Sequence, residues 1–188
     1  MVEPVTEISN PNSLPVRRKN SWIRPLVFAA IGFAAFRWLG HSSSGPSENS
    51  VAQDFSLAIA GEPDKSVNLE GYRGKPLVIE VFAHWCGACK SMAPRMAELA
   101  KARRQSPAQF LGVAVDGTAQ QALSLHASWG IPFDIALGDQ RFSADYRITS
   151  LPTIIVIDAE GKVRHVTTGV TLGSTVDKWL TELGAAPL

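Results

Sequence analysis

Cysteine is scarce in this chain: two residues among 188. That excludes a disulfide-dense secreted scaffold and a four-thiolate zinc ribbon. An excess of one charge is also missing. Eighteen basic side chains stand against seventeen acidic ones, for a net charge of +1. A nucleic-acid binder would carry a basic patch or stripe instead. No internal repeat is visible, so solenoids are excluded. With 45% hydrophobic residues the composition is that of an ordinary globular chain, not of a wholly disordered one. Long apolar runs are short too. The uncharged run 25–36 falls well below the roughly 20 residues of a spanning helix.

Extending that run to Trp22–Leu39 changes its meaning. The segment would be about 27 Å long as a helix. Arg24 and Arg37 could snorkel to opposite interfaces, with Trp22 and Trp38 in the interfacial belts. We read residues 22–39 as a signal anchor. A cleaved signal peptide and an apolar helix packed on the domain are the alternatives. Gly40-His41-Ser42 is a poor cleavage site, and without a cysteine here no lipoprotein anchor can form. Residues 1–21, with Pro4, Pro11 and Pro15, read as a disordered tail, and residues 40–50 as a linker. Arg17, Arg18, Lys19 and Arg24 precede the run and Arg37 alone follows closely. The positive-inside rule therefore puts the N-terminus in the cytoplasm and the rest on the extracytoplasmic side, in a periplasm or equivalent lumen.

Residues 51–188 read as one α/β domain. Lys75–Phe82 is a continuous, β-branched apolar run, the pattern of a strand covered on both faces. A helix follows over 87–104, with Met92, Met96 and Leu99 at core spacing and a basic end at Lys101, Arg103 and Arg104. Phe110–Val115 is a second buried strand. Thr118 with Gln121 forms a capping box for a helix running to Trp129. Phe133–Leu137 is a short strand. Thr153–Ile157 and Lys162–Thr168 form a hairpin about the turn 158–161. Ser174 with Asp177 is expected to cap a last helix ending at Gly184.

The two cysteines, Cys86 and Cys89, stand where the first buried strand meets a helix. Free backbone N–H groups and the helix macrodipole favour an anion there, which lowers the pKa of the first thiol. The second lies one turn on, on the same face. One attacking thiolate and one resolving thiol are what thiol–disulfide exchange requires. Other readings stay open. A zinc or copper site could use Cys86, Cys89 and His84 but needs further ligands. A purely structural bridge would close a loop too short to restrict the unfolded chain much.

Trp85-Cys86-Gly87-Ala88-Cys89-Lys90 resembles the thioredoxin active-site motif. Tyr146–Thr153 resembles the segment holding its cis-proline, and Val166–Val170 the glycine loop beside it. The stretch 116–140, with Asp54–Leu57 and Leu69–Gly74, is more similar to membrane-anchored, extracytoplasmic thioredoxin-like proteins of the TlpA/ResA type. The resemblance implies a thioredoxin-like fold: a central mixed sheet flanked by helices, with an N-terminal extension and a central helix–strand insertion. It implies a cis Pro152 opposite Cys86, a Leu151 backbone that pairs with an extended substrate, and a groove lined by Trp85, Leu151 and Gly169. It implies protein disulfides as substrates, apocytochrome c among them, and a membrane electron donor; no cofactor, metal or nucleic acid enters. Either direction of exchange, reductase or disulfide-forming oxidase, uses the same residues. Ala88 stands where common thioredoxins have proline.

Glu80 falls where thioredoxin has a buried acid. A carboxylate inside Leu-Val-Ile-Glu-Val-Phe is costly to bury, and burial would raise its pKa and suit it to take the proton from Cys89. On an edge strand it would instead lie in solvent. His84 could tune the thiolate or be a solvated loop residue. Lys90 adds positive potential or is simply exposed.

Overall fold

The structure is a computed structural model that describes residues 45–185. The tail (1–21), the signal anchor (22–39) and the first part of the linker lie outside the described residues. Among those described, no helix is long and apolar enough to cross a membrane.

Twelve elements follow one another. They are β1 (Ser56–Ile59), β2 (Glu62–Asn68), a 3₁₀ turn (Leu69–Tyr72), β3 (Leu77–Phe82), α1 (Gly87–Ala102), β4 (Gln109–Ala114), α2 (Ala119–Trp129), β5 (Ile135–Leu137), α3 (Gln140–Asp145), β6 (Thr153–Ile157), β7 (Val163–Thr168) and α4 (Gly173–Glu182). The strands form one sheet in the order β2-β1-β5-β4-β3-β6-β7. The neighbours β3, β4 and β5 run parallel; β6, β7, β1 and β2 join antiparallel. The fold is thioredoxin-like: a mixed central sheet with helices on its faces, α2 and β5 forming the helix–strand insertion between β4 and β6.

The central place of β3 follows from its sequence. All six of its residues are buried. Because side chains alternate across a strand, Leu77, Ile79 and Val81 enter one core with Leu111, Ile155 and Phe142. Val78 enters another with Met92, Met96, Val176 and Leu180, beneath α1 and α4. Phe82, on that same face, packs with Cys86, Cys89 and Ala93. Glu80 lies between Val78 and Phe82 in this alternation and so belongs to the face covered by α1.

Two expectations change. The capping box of α2 is present on both sides, Thr118 with Gln121. At α4, however, the N-cap is Leu172 and no side chain caps it. Asp177 is engaged elsewhere: it accepts from Arg103 Nε at 2.6 Å. Arg103, read as part of the basic helix end, is only 2% exposed. It ends α1 by turning inward, where its guanidinium also donates to the Asp177 carbonyl, Thr181 Oγ1 and the Ala185 carbonyl.

Residues 45–50, assigned to the linker by composition, lie along β7. Asn49 N–H donates to the Val163 carbonyl at 2.6 Å and Val163 N–H to the Ser50 carbonyl at 2.9 Å. Glu48 accepts from Val166 N–H at 3.2 Å. Gly45 N–H reaches the Arg147 carbonyl at 2.9 Å. This strap covers an edge that would otherwise offer unpaired backbone groups.

Candidate active site

The turn between β3 and α1 places the cysteines. Cys86 is the N-cap of α1, and its Sγ accepts from the Cys89 N–H at 3.1 Å. The two sulfurs are joined as a disulfide, with Cα atoms 5.2 Å apart. Cys86 keeps 7% of its surface exposed and Cys89 none. One sulfur can thus meet a partner while the other is enclosed beneath the helix. A thiolate at Cys86 would sit against the free amides of the first turn, which favour the anion.

Two loops converge on the pair. The Leu151–Pro152 bond is cis. Half-buried Leu151 packs against the cluster that holds Cys86 and Cys89. The Pro152 carbonyl accepts from Gly169 N–H at 2.8 Å. Gly169 has φ +80°, a left-handed conformation costly for other residues, and its would-be Cβ faces open space. Thr171 N–H points to Met92 Sδ at 3.3 Å, which fastens this loop to α1. Val170 and Leu172, on the same loop, are exposed apolar residues, as is Trp85. The sequence reading named Gly169 here and missed the apolar pair beside it; two exposed apolar residues flanking a loop glycine were the available signal.

Glu80 is buried, 2% exposed, and neither carboxylate oxygen has a hydrogen-bond partner among the described residues. Loss of solvation pushes its pKa up to about 8. Its strand neighbours are Gly112 and Ile154. Central position in the sheet removes the solvent-exposed edge alternative.

Asp116 was not singled out from the sequence. It follows β4 at the carboxyl end of the parallel strands, the side on which sites of open α/β sheets form. Its Oδ2 accepts from Trp85 Nε1 at 2.6 Å and its Oδ1 from Gly117 N–H at 2.7 Å. The Trp85 bond, then the Gly117 amide, holds its carboxyl below the usual range. His84 is half-buried, its Nδ1 enclosed without a partner among the described residues. It does not join the cysteines in a metal-holding set: among the described residues no three of His, Cys, Asp and Glu are so grouped. Lys90 is exposed on the first turn of α1.

A mixed sheet under a helix capped by a bonded Cys-x-x-Cys pair, beside a cis-proline loop, defines a protein of the thioredoxin-like class. The chain belongs to the AhpC/TSA family, whose profile matches residues 49–166. Its homologues are thiol–disulfide oxidoreductases. It is 26% identical over 156 residues to the thiol-disulfide oxidoreductase ResA of Bacillus subtilis, covering 82% of this chain and 86% of that one. It is 25% identical over 146 residues to the thiol:disulfide interchange protein DsbE of Allochromatium vinosum, covering 77% and 79%. Among solved structures it is similar to a thiol:disulfide interchange protein of the thioredoxin family from Chlorobium tepidum, with TM-score 0.65, 24% identity and coverage of 73% and 98%. That likeness carries the fold.

Proposed function

We propose that the chain is a membrane-tethered thiol–disulfide oxidoreductase that reduces protein disulfides on the extracytoplasmic side. One observation carries this reading: Cys86 reaches the surface at a helix N-terminus while its partner Cys89 is fully enclosed.

In the dithiol form, the Cys86 thiolate attacks one sulfur of a substrate disulfide. A mixed disulfide forms and the other substrate sulfur leaves as a thiolate, taking a proton from water. Cys89 then attacks Cys86, its proton passing to Glu80 directly or through water. The second substrate sulfur leaves as a thiolate and takes up the proton that Glu80 received, and the 86–89 disulfide remains. Two electrons have moved from protein to substrate. Burial pushes the Glu80 pKa up to about 8, so the carboxylate that accepts this proton is the minor form at neutral pH and the major one above about pH 8. The substrate chain lies along Leu151, beside Pro152, Gly169 and Trp85. A membrane electron donor restores the dithiol, and the disulfide of an oxidised apocytochrome c is among the substrates this class of protein suggests. Residues 22–39 supply the tether.

Cys86→Ser should abolish turnover, whereas Cys89→Ser should accumulate mixed disulfides, seen as reductant-sensitive adducts on non-reducing gels. Absence of adducts from Cys89→Ser would remove the assigned order of attack. The reduction potential of the pair decides direction. A value near about −270 mV fits a reductase and one near about −120 mV a disulfide-forming oxidase.

A further inference from the structure

The insertion between β4 and β6 builds a second wall at the site. Leu125 and Trp129 are one helical turn apart on α2 and half-buried. With Trp85, Lys90 and the exposed Gly87 they border a groove of about 450 Å³ that ends at Cys86. Leu151, Pro152 and Gly169 are not part of it. The groove therefore reaches the reactive sulfur from the α2 side, separately from the cis-proline loop.

Its walls are fixed. The Trp129 ring packs 5.6 Å from that of Phe82, which shares a core with both cysteines. The capping box pins the start of α2. Just before it, a Cβ on Gly117 would come within 3.0 Å of His84 Nδ1, and the φ there is +98°. Only glycine lets the chain turn so close to the floor of the groove.

The charge is one-sided. Lys90 and His84 are the ionisable groups lining the groove, and no carboxylate does. Asp116, outside the lining, keeps its negative charge and is near enough to His84 to interact with it, so Lys90 is the lining cation free of a carboxylate neighbour; the Asp116 oxygens accept from the Trp85 indole and the Gly117 amide.

We propose that this groove is a specificity subsite for the stretch of a protein substrate beside its disulfide, and that it selects an apolar side chain next to a carboxylate. The inference rests on the oxidoreductase reading. Any substrate cysteine joined to Cys86 must lead its neighbouring residues off the sulfur. One flank runs along Leu151; the other, or the loop facing it, falls between Trp85 and α2. There apolar walls bury the side chain and Lys90 meets the acid.

The test uses the full chain with dithiothreitol as reductant and two peptides with one internal disulfide each. They differ only beside one cysteine, Leu-Glu-Glu in one and Leu-Lys-Lys in the other. The readout is the ratio of their kcat/KM values within each variant, so changes in thiol reactivity cancel. The wild type should favour the acidic peptide about threefold, the scale of an exposed ion pair. Ser128→Glu, which puts a carboxylate on the α2 wall, should bring the ratio to one or reverse it. A wild-type ratio near one, or a ratio unmoved by Ser128→Glu, overturns the subsite while leaving the oxidoreductase reading intact. Reduction of neither peptide by the wild type overturns both.

Discussion

Trp85 stands exposed at the site, yet its indole is tied at 2.6 Å to Asp116, which is itself held by the Gly117 amide. A large apolar ring in water would sample several rotamers; this bond selects one and so shapes the surface beside Cys86. Asp116→Ala should raise KM for a protein disulfide by about fivefold, on the order of 1 kcal/mol for one hydrogen bond, with a smaller change in kcat, measured by steady-state reduction of insulin. Equal changes in both would show that the bond acts on the chemistry and not on docking. At this scale the sequence was informative where a residue contradicts its neighbours. Glu80 within an apolar strand and Cys86 before a helix are such contradictions. Asp116 was not, because an acid after a strand is common and its partner is 31 positions away in the chain.

Whole elements were legible to the extent that they bury a face. β3, β4, β6 and α1 have strong apolar patterns, and their order gave the α/β class. The hairpin of β1 and β2 escaped notice because Glu62–Asn68 is exposed along nearly its whole length and shows no alternation. Helix α3, at six residues, is too short for a period to show. At α4 the reading erred for a different reason. Ser174 and Asp177 have capping spacing, but local capping lost to a distant partner: Asp177 pairs with Arg103, 74 residues away. Arg103 thereby ties the end of α1 to α4 and to the Ala185 carbonyl. Removing it leaves the buried Ala185 carbonyl short of a donor and empties the space of a fully buried side chain, while Asp177 and Thr181 keep access to water. Arg103→Ala should cost about 2–3 kcal/mol in urea unfolding, and Asp177→Asn less, since Asp177 is half-exposed.

For the molecule as a whole, stability depends on the protonation of one carboxylate at the centre of the sheet. Folding raises the pKa of Glu80 from an ordinary 4.5 to about 8, so between these values the native state binds a proton that the unfolded chain releases. The favourable contribution of the neutral acid is complete below about pH 4.5 and is lost as pH rises to about 8, a change on the order of a few kcal/mol. Glu80→Leu should therefore raise the urea midpoint more at pH 8.5 than at pH 5. An equal gain at both would mean that the acid stays charged in the fold. The strap at 45–50 has a mechanical consequence of its own. It runs antiparallel beside β7, from Val51 opposite Lys162 to Glu48 opposite Val166. A pull on the chain at Gly45 is then borne lengthwise, in shear, by several hydrogen bonds at once instead of peeling them open one after another. Under the proposed tethering through residues 22–39, a pull from the N-terminal side would in this way be taken up at the strap before it reached the cysteines.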